Sequence, residues 1–255
     1  EAFNPDFKSS GSGSISRYGR FSPIYRQAAG GSGIAVNLKA NEAITLGAGY
    51  YARVNSTASN PAPGNGLFEG DSTIFGQLAF KPNAAINLGL TYAHVYQRSG
   101  GFNGLFESTG DSSLSLSTTR IEEASNYGVQ LNVKPLSNIT LGGWVGYTTV
   151  STLTGTPTSA DVWYWAGNVA IKDFIREGNT LGFVFGQPPK ITGIRSGGNP
   201  VSAETATSYH LEGLYKIKVS DNILVTPGVL VILDPQHNKN NPSILVGTIR
   251  TTFSF

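Results

Sequence analysis

The stretch SNYGVQLNVKPLSNITLGGWVGYTTV, residues 125–150, decides the fold. Tyr127, Val129, Leu131 and Val133 fall on one parity, and Asn126, Gln130, Asn132 and Lys134 on the other. Beyond the Pro-Leu-Ser-Asn turn the split resumes, with Ile139, Leu141, Val145 and Tyr147 opposing Thr140, Gly142 and Thr148. Side chains of a strand point alternately to its two faces, so this is a hairpin with one oily and one wet face. Each arm has the roughly 9–11 residues that a tilted strand needs to cross a bilayer. A lysine on the lipid side at mid-bilayer costs about 2–4 kcal/mol, so the face carrying Lys134 is the one turned to water.

The same alternation runs outward in both directions. It appears at 33–40, 44–54, 72–82, 86–96, 161–172, 180–186, 207–219, 223–235 and 243–255, about eleven strands in all. Short turns at 40–43, 83–85, 136–138, 176–179 and 220–222 alternate with long Gly/Ser/Asn/Pro loops at 1–32, 55–71, 99–123, 151–160, 195–206 and 236–242. Short turns on one rim and long loops on the other are the plan of an antiparallel outer-membrane β-barrel. The hairpins repeat: LKANEAITLG, FKPNAAINLG, VKPLSNITLG and IKDFIREGNTLGF share an apolar residue, a Lys, a turn and a return strand. The loops repeat as well, as NGLFEGD at 65–71 and NGLFESTGD at 103–111.

Composition agrees. Only 13% of residues are charged and 39% hydrophobic, a chain poor in charge without long apolar runs. No stretch reaches the length of a transmembrane helix. The net charge of +2 gives no basis for nucleic-acid binding. Absence of Cys decides little.

Aromatic residues on the oily parity fall into two girdles. Tyr92, Tyr96, Tyr127, Tyr147, Trp163, Trp165 and Tyr209 lie toward the long loops; Phe80, Phe183, Tyr215, Phe253 and Phe255 lie toward the short turns. The last strand ends on Phe255, in the manner of the signal read by the bacterial barrel-assembly machinery. Barrels of this kind usually have an even strand number with both ends on the short-turn side. Counting back from Phe255 puts residues 1–32 on the long-loop side, so an odd number of strands is expected ahead of them. Five would bring the total to about sixteen, a porin size.

The segments 223–255, RFSPIYR (20–26) and NPAPGNGLFEGD (60–71) resemble the cyanobacterial outer-membrane porins, relatives of the carbohydrate-selective porin B family that are sometimes labelled iron-uptake porins. The resemblance implies a sixteen-stranded, often trimeric porin. It also implies an N-terminal S-layer-homology domain that grips the cell-wall polymer, which these residues do not include. By the same analogy, residues 1–32 are expected to be a loop folding inward to narrow the pore, and 33–255 the C-terminal part of the barrel.

Pore-lining candidates follow from parity: Lys39, Arg53, Lys81, Lys134, Lys172, Glu212, Lys216, Lys218 and Arg250, with Asp234 a further inward acid. Five of the lysines stand at the short-turn ends of successive descending strands, and either form a basic ring that favours anions or simply solvate strand ends. Arg17, Arg20 and Arg26, interleaved with Tyr18, Phe21 and Tyr25, are candidates for setting the field in the constriction, or for an exposed loop over the barrel top. Inward aromatics are few: Tyr51, Phe75, Trp144 and Tyr164. His94, His210 and His237 are scattered, and Asp-Pro with the Asn run at 238–241 reads as turn chemistry more readily than as a metal loop. No catalytic spacing or phosphate-binding Gly loop is visible.

The expectation is therefore a porin of a Gram-negative-type outer membrane, not an enzyme and with no cofactor. It would pass inorganic ions and small polar solutes through a water-filled pore with mild anion preference. Alternatives are a sugar-selective channel or a structural tether between membrane and wall. Expected partners are outer-membrane lipid including lipopolysaccharide, small ions and solutes, and two further copies in a homotrimer. Contact with the wall polymer would come only through the absent N-terminal domain.

Overall fold

The side-chain oxygen of Asn41 accepts the backbone N–H groups of Ala43 and Ile44 at 2.8 and 2.9 Å, and Asn83 repeats the arrangement with Ala85 and Ile86 at 2.8 and 3.0 Å. Two copies of the sequence repeat thus share one turn, in which an Asn side chain imitates a backbone carbonyl and reverses the chain. These turns join strands that hydrogen-bond to their sequence neighbours. The architecture is that of a computed structural model in which residues 7, 13–28, 32–52, 59–98, 105, 106, 109, 122–201 and 206–255 are described.

The described strands are β1 (Ser32–Lys39), β2 (Ile44–Ala52), β3 (Ser72–Asn83), β4 (Ile86–Gln97), β5 (Glu122–Leu136), β6 (Ile139–Thr152), β7 (Thr158–Lys172), β8 (Thr180–Ser196), β9 (Asn199–Val201), β10 (Tyr209–Lys218), β11 (Ile223–Leu233) and β12 (Ile244–Phe253). All pair antiparallel in chain order, except that β8 passes directly to β10 and β9 is a short flap on the end of β8. No described helix is long and apolar enough to cross a membrane. The outermost strands, β1 and β12, are not paired with each other.

Register confirms the two faces. Val129 stands opposite Val145, and Val145 opposite Trp165; Asn126 stands opposite Thr148, and Thr148 opposite Val162. Leu141 and Val145 are 43% and 40% exposed, whereas Thr148 is fully buried. The oily row is outside and the polar row inside, where other parts of the chain cover it.

Three details differ from the sequence expectation. The strand expected at 180–186 runs on to Ser196, because Pro188 and Pro189 fall where the β7–β8 ladder shifts register and so interrupt nothing essential. The long loop expected at 151–160 shrinks to residues 153–157, and the one at 195–206 holds the β9 flap. The inner face is also not polar throughout. Toward the long loops it carries Val95, Val150, Val162, Ile191 and Ile194, which form one buried cluster with Leu105 and Phe106 from the β4–β5 loop and with Tyr18.

Candidate functional site

The inner face is crossed by residues 13–28. At one end the backbone oxygen of Ser14 accepts from Arg250 on β12 at 3.2 Å, and Ile15 lies against Gly228 on β11. A side chain at Gly228 would strike Ile15, so the glycine permits this approach. Glu212 on β10 accepts the N–H of Ile15 at 2.5 Å, the N–H of Ser16 at 3.2 Å and the Ser16 hydroxyl, while His210 Nε2 lies 2.8 Å from the same carboxylate. Tyr18 donates to the carbonyls of Trp165 and Gln187 at 2.5 and 2.8 Å, which ties the segment to β7 and β8. Burial holds its phenol well above the usual value, so it stays a donor.

The other end is a 3-10 turn, Pro23–Ala28. Ile24 packs on Phe75 and Ala93, Tyr25 is bonded to Gln77, and Thr73 donates to the carbonyl of Gln27 at 2.6 Å. The segment therefore spans the interior from β12 to β3.

Beneath it the wall is polar. Gln77 donates to Thr91 at 3.1 Å, and Thr91 donates to Gln130 at 2.8 Å; Thr148 donates to Asn126 at 2.7 Å. Asn87 and Asn168 each keep a buried side-chain oxygen that no donor reaches among the described residues.

The parity assignments place Lys39, Lys81, Lys134, Lys172 and Lys218 on inward positions at the short-turn ends, all of them exposed. Lys39 is paired with Glu42 at 3.0 Å and Lys218 with Asp221 at 2.7 Å. The Lys218 hydrogen bond, and then its charge, hold the Asp221 carboxyl below the usual carboxylate range. Lys216 is half-buried beside Gly13, and Arg250 reaches Ser14. Arg53 lies outside the described residues. Asp234 occupies the left-handed region, with a φ of 42°, at the start of the turn Pro235–His237.

Two expectations require correction. Glu212 does not line open lumen: it is buried, its oxygens taken up by the crossing segment. Nor does Arg26 face water. Its guanidinium is buried 4.6 Å from the Phe21 ring centre and donates to the backbone oxygen of Arg17. Parity and loop position could not show which polar groups another segment would cover. Arg17 and Arg20 are exposed.

The inward aromatics Tyr51, Phe75, Trp144 and Tyr164 all point inside, and three of them are buried. Tyr18 meets Trp144 edge-on at 6.2 Å, and Phe106 meets Tyr164 at 5.7 Å. They anchor loops rather than form an open track. His237 accepts from the Ser208 N–H at Nδ1 and lies 3.0 Å from the Pro189 carbonyl at Nε2, so its ring ties the residue before β10 to β8. Among the described residues no group of three or more His, Cys, Asp or Glu gathers as a metal site.

Outside, Tyr92, Tyr127, Tyr147 and Trp163 form a chain across β4 to β7, with ring centres 5.2, 6.4 and 4.9 Å apart. Trp165, Phe185 and Tyr209 continue it across β8 to β10 at 5.3 and 5.7 Å. Tyr96 is outward too, and Phe253 and Phe255 are exposed at the other rim.

Residues 2–255 match the family described as carbohydrate-selective porin, OprB family. The chain belongs to the OprB family. Two relatives are uncharacterized proteins of cyanobacteria. One, from Nostoc sp., is 34% identical over 96% of this chain and 43% of its own length. The other, from Synechocystis sp., is 32% identical over 94% of this chain and 46% of its own. The chain thus spans less than half the length of the curated relatives it matches. The outer-membrane expressed OmpT of Vibrio cholerae superposes with a TM-score of 0.55 at 9% identity, over 86% of this chain and 62% of that one, a likeness of fold alone. With its outward apolar row and aromatic chain, this OprB-family wall belongs in a bacterial outer membrane.

Proposed function

We propose that the protein is a porin, a channel rather than an enzyme, which lets inorganic ions and small polar solutes diffuse through a hydrated pore with mild anion preference. The observation that supports the reading is the segment 13–28 tethered across a partly polar inner wall, as a chain that narrows a pore would be. Exposed lysines at the short-turn rim bias that path toward anions, since a ring of fixed cations favours counter-ions at close range. No described strand pairs with the outer edge of β1 or of β12, and backbone groups left open in hydrocarbon cost several kcal/mol each. Further strands of a longer chain closing the wall, and a homotrimer seated among outer-membrane lipids, complete this reading.

The family description favours a second reading, a channel selective for carbohydrate. Against an aromatic sugar track stands the burial of Phe75, Trp144 and Tyr164 under loops. Planar-bilayer recordings of the full-length protein under a salt gradient, with liposome swelling in sugars of rising size, separate the two. A reversal potential showing clear cation preference removes the anion assignment; sugar flux far above size-matched polar solutes supports the carbohydrate channel instead.

A further inference from the structure

The turn between β7 and β8, residues 173–179, departs from the other short turns. Those carry Ala-Asn-Glu-Ala at 40–43, Ala-Ala at 84–85, Ser-Asn at 137–138 and Val-Ser-Asp-Asn at 219–222, with small or polar residues at their tips. This one reads Asp-Phe-Ile-Arg-Glu-Gly-Asn and presents Phe174 and Ile175. Ile175 is 85% exposed and has a φ of 66°, in the left-handed region. A tip that met only water would place Asn, Asp or Gly there, because a β-branched side chain is strained in that conformation and gains nothing from water.

Hydrogen bonds hold this conformation. The Asp173 side chain accepts the Gly178 N–H at 2.8 Å, and the Asp173 N–H donates to the Asn179 carbonyl at 2.7 Å. The Asn179 side chain accepts the Lys218 N–H at 2.9 Å and donates to the Tyr215 hydroxyl at 2.8 Å. That hydroxyl donates to the Phe174 carbonyl at 3.0 Å, and the two rings meet edge-on with centres 6.3 Å apart. Strain of this kind persists where the surrounding contacts over-determine it. Tyr215 sets the direction. It shares the parity of Tyr209 and Leu211, on the outer face, so the turn is drawn toward the lipid side of the rim and not over the inner side. Phe174 thereby extends the outward apolar row of Leu181, Phe183 and Tyr215 past the end of the strands.

We infer that the β7–β8 turn is an interfacial anchor, in which Phe174 and Ile175 enter the headgroup boundary of the membrane leaflet at the short-turn rim. The occupant of this surface is phospholipid, because the exposed pair is continuous with the aromatic girdle that already faces lipid. Burial at that boundary gives the strained Ile175 a gain that water does not. Arg176 and Glu177 follow and are exposed, so the turn keeps charged residues for the headgroup water. The anchor fixes the depth of this rim in the bilayer. It depends on the outer-membrane placement of the wall and not on whether the chain conducts.

The test places a nitrobenzoxadiazole label on Glu177→Cys of the full-length protein, with Ile175 intact, in vesicles of phosphatidylethanolamine and phosphatidylglycerol. Glu42→Cys, at the tip of the β1–β2 turn, is the reference, and protein without an introduced Cys gives the background. Quenching by lipid carrying a nitroxide near its headgroup is expected to be at least about twofold stronger at 177 than at 42, and quenching by aqueous iodide at most about half as strong. Ile175→Asn suits the left-handed backbone but removes the apolar side chain, and it should bring the 177 label to the level of the reference. Ile175→Leu should keep the lipid contact; heat-modifiable migration on gels shows that each variant is folded. Equal quenching at the two sites, or an unchanged 177 label in folded Ile175→Asn, overturns the inference. Protection from iodide in native outer-membrane fragments but not in vesicles of lipid alone would mark a protein partner and overturn the assignment to lipid.

Discussion

The carboxylate of Glu212 on β10 binds both the hydroxyl and the backbone N–H of Ser16, a residue 196 positions earlier in the chain. With the Ile15 N–H and His210 at the same carboxylate, this contact pins the start of the crossing segment to the wall. Glu212→Ala leaves buried donors without an acceptor, a loss of about 1–3 kcal/mol. The expected outcome is a segment that undocks, with higher and noisier single-channel conductance. Glu212→Gln keeps one oxygen and should fall between the two. Unchanged traces for both variants would show that the segment is held elsewhere.

Arg26 and Arg20 should separate in effect although they are six residues apart on one segment. Arg26 is buried against Phe21, and its removal forfeits a cation–π contact of about 0.5–2 kcal/mol. Arg26→Ala should lower thermal stability and leave the reversal potential alone. Arg20 is exposed and lies farther from the same ring, at 5.3 Å, so Arg20→Ala should shift the reversal potential and cost less stability than Arg26→Ala.

The short-turn lysines should contribute unequally. Lys39 and Lys218 have acid partners three residues on. Lys134 and Lys172 should carry more of the anion bias. A unit charge at roughly 8 Å in water is worth about 0.5 kcal/mol, about a twofold change in ion occupancy. Lys134→Glu with Lys172→Glu should therefore lower the anion-to-cation permeability ratio several-fold.

The same rim gives a pH dependence of defined sign. Asp221 has a lowered pKa, so it stays charged and screens Lys218 down to below the ordinary carboxylate value of about 4. As pH falls through that lowered value, Asp221 becomes neutral, Lys218 stands uncompensated and anion preference rises. Asp221→Asn should raise it at neutral pH and abolish this part of the acid response.

Ile175, in the turn between β7 and β8, has a φ of 66° and is almost fully exposed. A β-branched residue in the left-handed region is strained by about 1–2 kcal/mol. Ile175→Asn should raise the urea midpoint of unfolding by an amount consistent with about 1 kcal/mol.

The outward row gives a sharper check on the membrane itself. Val145→Lys should cost about 2–4 kcal/mol in a folded bilayer preparation, whereas Asn132→Lys on the inner face should cost far less. Similar costs would contradict the assignment of faces.

Strand order, hairpin turns and the inside–outside sense of nearly every strand residue were legible in the sequence alone. Those properties are local: a two-residue period and an Asn at a tight turn are enforced by covalent geometry and by which solvent each face meets. What covers the inner face was not legible, because it depends on contacts between residues far apart in the chain. The two loop copies make the point. Phe68 of NGLFEGD lies 82% exposed beside Tyr50 on the outer face, while Phe106 of NGLFESTGD is 1% exposed against Tyr164 inside. The same Leu-Phe pair was sent to opposite sides of one wall. Glu212 likewise fits a water-filled pore by parity and was claimed by Ser16 instead. The period of a strand fixes which way a side chain points; only the folded chain decides whether water or another segment waits there.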